Sequence, residues 1–288
     1  MEGRARAPAA GTVLNALACG KGAAFAIDAY TTATVTLTDG TEIVGEIAEA
    51  PDADTRLIER CVALIVDQFT DEQYGATVRT DSEIPMAAGL KSSSAAANAV
   101  VLATLDALEI PVGPEGPIDR ADAARIGVQA ARDVGVTVTG AFDDASASML
   151  GGVTVTDNTD DTLLAHEHLD RDVLVWTPPE RAYSAEADVD RCERLGPLAE
   201  FIAETALEGQ YAHAMTINGF AFCAALGFST EPLIEALPQA DGVSLSGTGP
   251  SVTAIGPPTA LDTIESTWQR REGTTWMTTT QTDGARTR

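Results

Sequence analysis

Lysine is almost missing from this chain of 288 residues: Lys21 and Lys91 stand alone against sixteen arginines. Histidine is scarce too, and His166, His168 and His213 are too few and scattered to build a metal centre. Cys19, Cys61, Cys192 and Cys223 form no C-x-x-C pair and read as reduced, mostly buried thiols. No apolar stretch approaches the ~18 residues of a membrane-spanning helix, and the N-terminal run does not resemble a signal peptide. A cytoplasmic protein is expected. Blocks of like charge, internal repeats and low-complexity linkers are absent as well.

What is abundant is acid. The net charge of −25 is dispersed along the chain, which describes a solvated surface rather than an interaction tail. Such a surface repels nucleic acid and anionic membrane, and neither is expected as a partner. Excess acid, arginine in place of lysine, and plentiful threonine and alanine together suggest work in concentrated salt. At about 1 M salt the Debye length is only ~3 Å, and self-repulsion is screened. Hydrophobic residues make up 44%, an ordinary globular share, and the length allows one large or two medium domains.

Alternation in Ala33–Thr38 and Glu42–Ile47 around Asp39-Gly40 predicts a β-hairpin with a type I′ turn. Asp54 is expected to cap a helix whose inner face is Leu57, Ile58, Cys61, Leu64 and Ile65. A strand through Val78 leads to the Gly89 loop, and Ser92 or Ser93 opens a helix of small residues running to Leu108. Asp119 caps another helix with Ala123, Ile126, Ala130 and Ala131 inside. A second set follows: a strand at 173–176, helices near 192–207, 210–227 and after Thr230, strands at 242–245 and 252–255, a helix around 258–271 and a last strand at 274–280. Strands and helices are interspersed, giving an α+β fold with a division into residues 1–160 and 161–288.

Three features make the stretch from Gly89 to Ala97 a phosphate cradle. Glycine lets backbone approach an anion closely. A helix N-terminus offers unpaired N–H groups and the positive end of its dipole. The hydroxyls of Ser92, Ser93 and Ser94 can donate to phosphate oxygens or ligate Mg²⁺, and Lys91 adds a mobile point charge. The loop is not a Walker A motif, because leucine separates Gly89 from Lys91. Near the C-terminus, Ser246-Gly247-Thr248-Gly249-Pro250-Ser251 is a glycine-rich turn between strands whose free N–H groups can form an anion nest.

Pro85-x-x-x-Gly89-Leu90-Lys91-Ser92-Ser93-Ser94-Ala95 resembles the central motif of the GHMP small-molecule kinases. Lys91, where most members carry a second glycine, is similar to the archaeal shikimate kinase branch. The turn at 244–251 resembles the third motif of that superfamily, and Pro8–Asn15 with Phe25–Asp28 the first. The resemblance covers essentially the whole chain. It implies an N-terminal domain like the second domain of ribosomal protein S5, a ferredoxin-like C-terminal domain, and ATP at their junction.

The activity it implies is ATP-dependent phosphorylation of the shikimate 3-hydroxyl, with Mg²⁺. The alternatives are another small alcohol such as homoserine or mevalonate, or a non-catalytic ATP sensor on the same fold. The resemblance assigns ATP to Pro85, Met86, Ala87, Ala88, Gly89, Leu90, Lys91, Ser92, Ser93, Ser94, Ala95, Gly247, Thr248 and Gly249, with Ser93 as the Mg²⁺ ligand. Gly140-Ala141-Phe142-Asp143-Asp144 is similar to the segment that supplies a catalytic aspartate. The alignment is open between the two carboxylates, with Asp143 favoured. Thr12, Asn15 and Lys21 are expected at the acceptor, and Lys21 either neutralises one aspartate or meets the shikimate carboxylate. Arg181 and Tyr183 are weaker offers that read as surface.

Overall fold

The computed structural model describes residues 1–84, 88–137, 139–182 and 187–288. Pro85, Met86, Ala87 and Tyr183 therefore lie outside the described residues. The chain opens with two long antiparallel strands, β1 (Glu2–Leu14) and β2 (Lys21–Asp39), with register shifts at Pro8/Ala9 and Thr12/Leu14. Their paired ends at 9–14 and 23–27 are almost wholly small or apolar and buried, so neighbouring backbone can press on both faces.

The expected hairpin at Asp39-Gly40 does not form. Strand β3 (Ile43–Ile47) pairs parallel with β4 (Tyr74–Ser82), and β4 inserts between β2 and β3. Helix α1 (Arg56–Phe69) makes the crossover, burying Leu57, Ile58, Cys61, Val62 and Ile65. Gly40 has φ 119°, outside the left-handed values a type I′ turn needs. The alternation was real, but its partner strand lay farther along the chain. Thr55 rather than Asp54 occupies the cap of α1, and Asp54 accepts the Arg56 N–H at 3.0 Å.

Helix α2 (Ser92–Ala107) is buried nearly all round. Its alanines let it lie directly on β1: a Cβ on Gly3 would sit 2.1 Å from the Ala103 carbonyl oxygen. Helix α3 (Arg120–Val134) is capped by Asp119, whose side chain accepts from the Asp122 N–H, and ends at left-handed Gly135. Helix α4 (Phe142–Leu150) follows, then the hairpin β5 (Val153–Asp157) and β6 (Thr162–Glu167), with β5 paired to the start of β2.

The second sheet has the order β10-β7-β9-β8, all antiparallel. Its strands are β7 (Asp172–Thr177), β8 (Gly242–Leu245), β9 (Val252–Gly256) and β10 (Thr274–Thr279). Helices α5 (Val189–Glu193), α6 (Gly196–Leu207), α7 (Tyr211–Leu226) and α8 (Glu231–Ala236) fill the first crossover, and α9 (Pro258–Trp268) the second. Taking α7 and α9 as the principal helices, this is the βαββαβ order of a ferredoxin-like unit. The chain then returns: β11 (Arg286–Thr287) pairs with β1 in the seven-stranded first sheet.

Candidate active site

The two glycine loops are laced together. A Cβ on Gly89 would lie 2.2 Å from the Ser246 carbonyl oxygen, so only glycine, at φ 81°, fits there. Ser246 Oγ donates to the Gly89 carbonyl at 2.9 Å, and the Ser251 N–H donates to the Ala88 carbonyl at 3.1 Å. The first motif supports the same turn from below. The Gly247 N–H donates to Thr12 Oγ1 at 2.7 Å, and Asn15 Nδ2 donates to the Gly247 carbonyl at 2.9 Å. Asn15 is itself held by Asn218, whose Oδ1 accepts the Asn15 N–H.

A cavity of about 520 Å³ opens beside this joint. Gly89, Lys91, the three serines of α2, Gly247, Thr248, Asn15 and both aspartates of α4 line it. Ala88, Leu90 and Ala95 are buried behind the loop, and Gly249 packs on the Phe228 ring. Thr12 is also buried, its hydroxyl committed to Gly247. Lys21 is not among the lining residues; its ammonium sits 2.5 Å from Glu200 on α6. Exposed Arg181 does not line the cavity either.

At the floor, Lys91 occupies the cap position of α2 with φ 65° and ψ 30°, a left-handed conformation that disfavours any side chain. The backbone keeps a shape suited to glycine while the residue supplies a charge. Lys91 Nζ lies 2.7 Å from Asp144 Oδ1, with both side chains largely shielded from solvent. It is the one basic side chain among the described residues lining the cavity. Burial, reinforced by the neighbouring charge of Asp143 and opposed by Lys91, pushes the Asp144 carboxyl up to about 7. The hydroxyls of Ser92, Ser93 and Ser94 take no partner among the described residues, and Ser93 is exposed at the first turn of the helix. The first N–H groups of α2 have no helical partner, as at any helix start.

Asp143 is held differently. It is 4% exposed, and Asn158 Nδ2 donates to its Oδ1 at 2.7 Å. The Asp143 N–H returns a bond to Asn158 Oδ1, which also accepts from Thr156 Oγ1 at 2.7 Å. The carboxylate packs against Gly22 of β2, where a Cβ would come within 2.5 Å of both its Cγ and its Oδ2. Asn158, Thr156 and Gly22 carry no local signal in the sequence. An asparagine closing a strand reads as a turn residue, and only the fold shows what it touches.

Residues 56–152 match the family described as GHMP kinases N terminal domain. Shikimate kinase of Halobacterium salinarum (strain ATCC 29341 / DSM 671 / R1) is 61% identical over 100% of both chains. Shikimate kinase of Methanosarcina mazei is 50% identical over 93% of this chain and 90% of its own. The chain belongs to the GHMP kinases, in their shikimate kinase branch. The fold of the GHMP kinases is equally plain in solved structures. Homoserine kinase from Cytophaga hutchinsonii superimposes with a TM-score of 0.76 at 16% identity, covering 100% of this chain and 97% of its own. Mevalonate kinase of Methanococcus jannaschii gives 0.75 at 13% identity, covering 96% and 98%. As a GHMP kinase this is an ATP-dependent enzyme acting on a small molecule, and the cavity at its three motifs is the candidate active site.

Proposed function

We propose that the protein transfers the γ-phosphoryl group of ATP to the 3-hydroxyl of shikimate, giving shikimate 3-phosphate and ADP. The observation that carries this reading is the meeting, in one cavity, of a helix N-terminus with three unpartnered serine hydroxyls and a carboxylate held ready on α4. Phosphoryl transfer is mostly positioning and charge neutralisation, and these parts supply both. The free N–H groups of α2 hold the phosphates. The Gly247 turn closes beside them as a wall rather than as an anion nest, because the N–H groups of Gly247 and Gly249 are committed to Thr12 Oγ1 and the Ser246 carbonyl. In this reading residues 1–160 carry the phosphate loop, residues 161–288 the loop that closes on it, and ATP lies between them.

Asp143 is the base. Its Oδ1 is engaged by Asn158, so Oδ2 accepts the hydroxyl proton while the oxygen bonds to the γ-phosphorus and the bond to ADP breaks. Asp144 is already paired with Lys91, which suits a charge-balancing role rather than proton transfer. That pairing also answers the need for a cation beside two adjacent carboxylates, a need Lys21 does not meet from its place on Glu200. Mg²⁺ fits a site of this kind: it takes oxygen ligands, chiefly phosphates and water with few protein groups. Ser93 Oγ is the exposed hydroxyl donor, and among the described residues no cluster of three or more His, Cys, Asp or Glu competes to hold the ion. When bound, the ion neutralises phosphate charge. The acidic, lysine-poor surface fits work in concentrated salt.

The test is ADP release from Mg-ATP in about 2–3 M KCl, chosen for its screening of the acidic surface. Shikimate, homoserine and mevalonate are offered separately. Turnover with shikimate alone is the expected result. Turnover with another acceptor instead would overturn the substrate, and ATP binding without turnover on any of them would overturn the kinase reading in favour of a sensor.

A further inference from the structure

We propose that Asn158 is a positioning residue for the reaction, fixing which oxygen of Asp143 faces the acceptor hydroxyl. The inference rests on the reading of Asp143 as the base. Asn158 is not near Asp143 by accident of chain order: it closes β5, which runs beside β2, whereas Asp143 opens α4. The side-chain amide and the aspartate make a reciprocal pair, Nδ2 to Oδ1 at 2.7 Å and the Asp143 N–H to Oδ1 of Asn158 at 3.2 Å. The first bond holds one carboxylate oxygen, and the second ties the Asp143 backbone to the same amide. The amide's own orientation is fixed by Asp143, whose N–H can only donate to Oδ1 and whose carboxylate oxygen accepts from Nδ2. The Thr156 hydroxyl adds a further donor to Oδ1 at 2.7 Å and supports the same orientation.

The backbone of Asn158 is anchored as well. Arg132 Nη2 donates to the Asn158 carbonyl at 3.3 Å and to the Thr139 carbonyl at 3.4 Å, while the guanidinium forms a two-pronged pair with Asp161. One arginine thus ties the turn that carries Asn158 to the loop that leads into α4. Gly140 stacks on that guanidinium so closely that a Cβ would fall 2.2 Å from Nη2. On the opposite side Gly22 leaves room for the carboxylate and nothing more. Asp143 is enclosed by an amide, a hydroxyl-locked strand and a glycine. A carboxylate left to rotate freely in the cavity would spend much of its time misaligned, and misplacement by about 1 Å can cost on the order of 10²-fold in rate.

The consequence is specific to turnover. Asn158 is buried, 4% exposed, and is not among the residues lining the cavity, so it meets neither ATP nor acceptor. Its loss should lower kcat while leaving the KM for ATP where it was. The charged groups that face Asp143 from its own and the neighbouring elements are Asp144 on α4 and, through it, Lys91 at the head of α2. Neither is altered by changing Asn158. A replacement that adds charge at position 158 therefore acts on the Asp143 pair directly.

The experiment uses the full-length protein, with kcat and KM for ATP and shikimate measured across pH for Asn158→Ala, the isosteric Asn158→Asp, Thr156→Val and Asp143→Asn. Folding of each is checked by circular dichroism in the assay buffer. Asn158→Ala is expected to lose on the order of 10²-fold in kcat with ATP KM unchanged, and Thr156→Val to lose less in the same direction. Asn158→Asp places a second carboxyl against the first, so the two share a proton and the acid limb of kcat moves to higher pH. A merely structural asparagine would lower the folded fraction and leave the acid limb of the surviving activity in place. Wild-type kcat in Asn158→Ala, or an unmoved acid limb in Asn158→Asp, alongside an inactive Asp143→Asn, would overturn the positioning role and leave the base intact. Full kcat in Asp143→Asn would instead remove the base on which the inference rests.

Discussion

Replacing Lys91 by alanine and, in parallel, by glycine separates two effects that meet at one residue. The first is electrostatic. In the folded protein Asp144 keeps its proton up to about pH 7, whereas the unfolded chain gives it up near 3.8. Between those values the folded state binds more protons, so stability falls as pH rises through the window and levels off above it. Without Lys91 the folded carboxyl rises further, since a close cation typically holds such a group down by about 1–3 pKa units. The decline then continues above pH 7. Lys91→Ala should be less stable than wild type by about 1–3 kcal/mol at pH 9 and by much less at pH 6, where Asp144 is largely protonated in both. The second effect is conformational. At φ 65° alanine keeps the strain that lysine bears, and glycine relieves it. Left-handed geometry costs an L-residue about 1–2 kcal/mol, partly offset by the larger unfolded-state entropy of glycine. Lys91→Gly should therefore exceed Lys91→Ala by about 1 kcal/mol at either pH. Urea unfolding followed by the fluorescence of Trp176, Trp268 and Trp276, at fixed KCl, reads both quantities. A loss in Lys91→Ala that is the same at pH 6 and 9 would refute the ion-pair account. Equal stability of the two variants would refute the strain.

Two further outcomes follow from the same geometry. Gly89→Ala should abolish turnover and lower the thermal midpoint, because its Cβ would meet the Ser246 carbonyl oxygen at 2.2 Å and force the two loops apart; an active, equally stable variant would mean the loops are not in contact. Lys21→Met should leave kcat and both KM values within about twofold, since its partner Glu200 lies away from the cavity and a half-exposed pair contributes only about 0–1 kcal/mol; a large rise in shikimate KM would return Lys21 to the acceptor site.

The parts of the site that were legible in the sequence are those made by contiguous residues. A glycine, a lysine and three serines ahead of an alanine run describe a helix start whichever way the rest of the chain folds, and α2 begins at Ser92 as expected. Most of the second sheet was legible for the same reason, β7, β8 and β9 being short, mainly apolar runs bounded by turns. Pairing was harder. The repeat around Asp39-Gly40 looked like a hairpin because the competing strand, β4, begins only at Tyr74, after a helix. Thr12 and Asn15 look like ligands in a list of polar residues. In the fold they brace Gly247, which is 235 and 232 residues away in sequence. Lys21 finds Glu200 at a separation of 179. No local pattern specifies such pairs; they are settled by which surfaces of the two sheets meet.

The lacing of Gly89 to Ser246 also sets an order in time. The two residues are 157 apart in the chain, and synthesis at roughly 5–20 residues per second leaves about 8–30 s between them. Throughout that interval the helix start at Ser92 has been made but has no second loop to brace it. The strand that closes the first sheet beside β1, Arg286–Thr287, emerges later still than Ser246. A nascent chain therefore acquires its braced phosphate loop only after Ser246 has emerged, and a polypeptide that stops short of that residue lacks the brace.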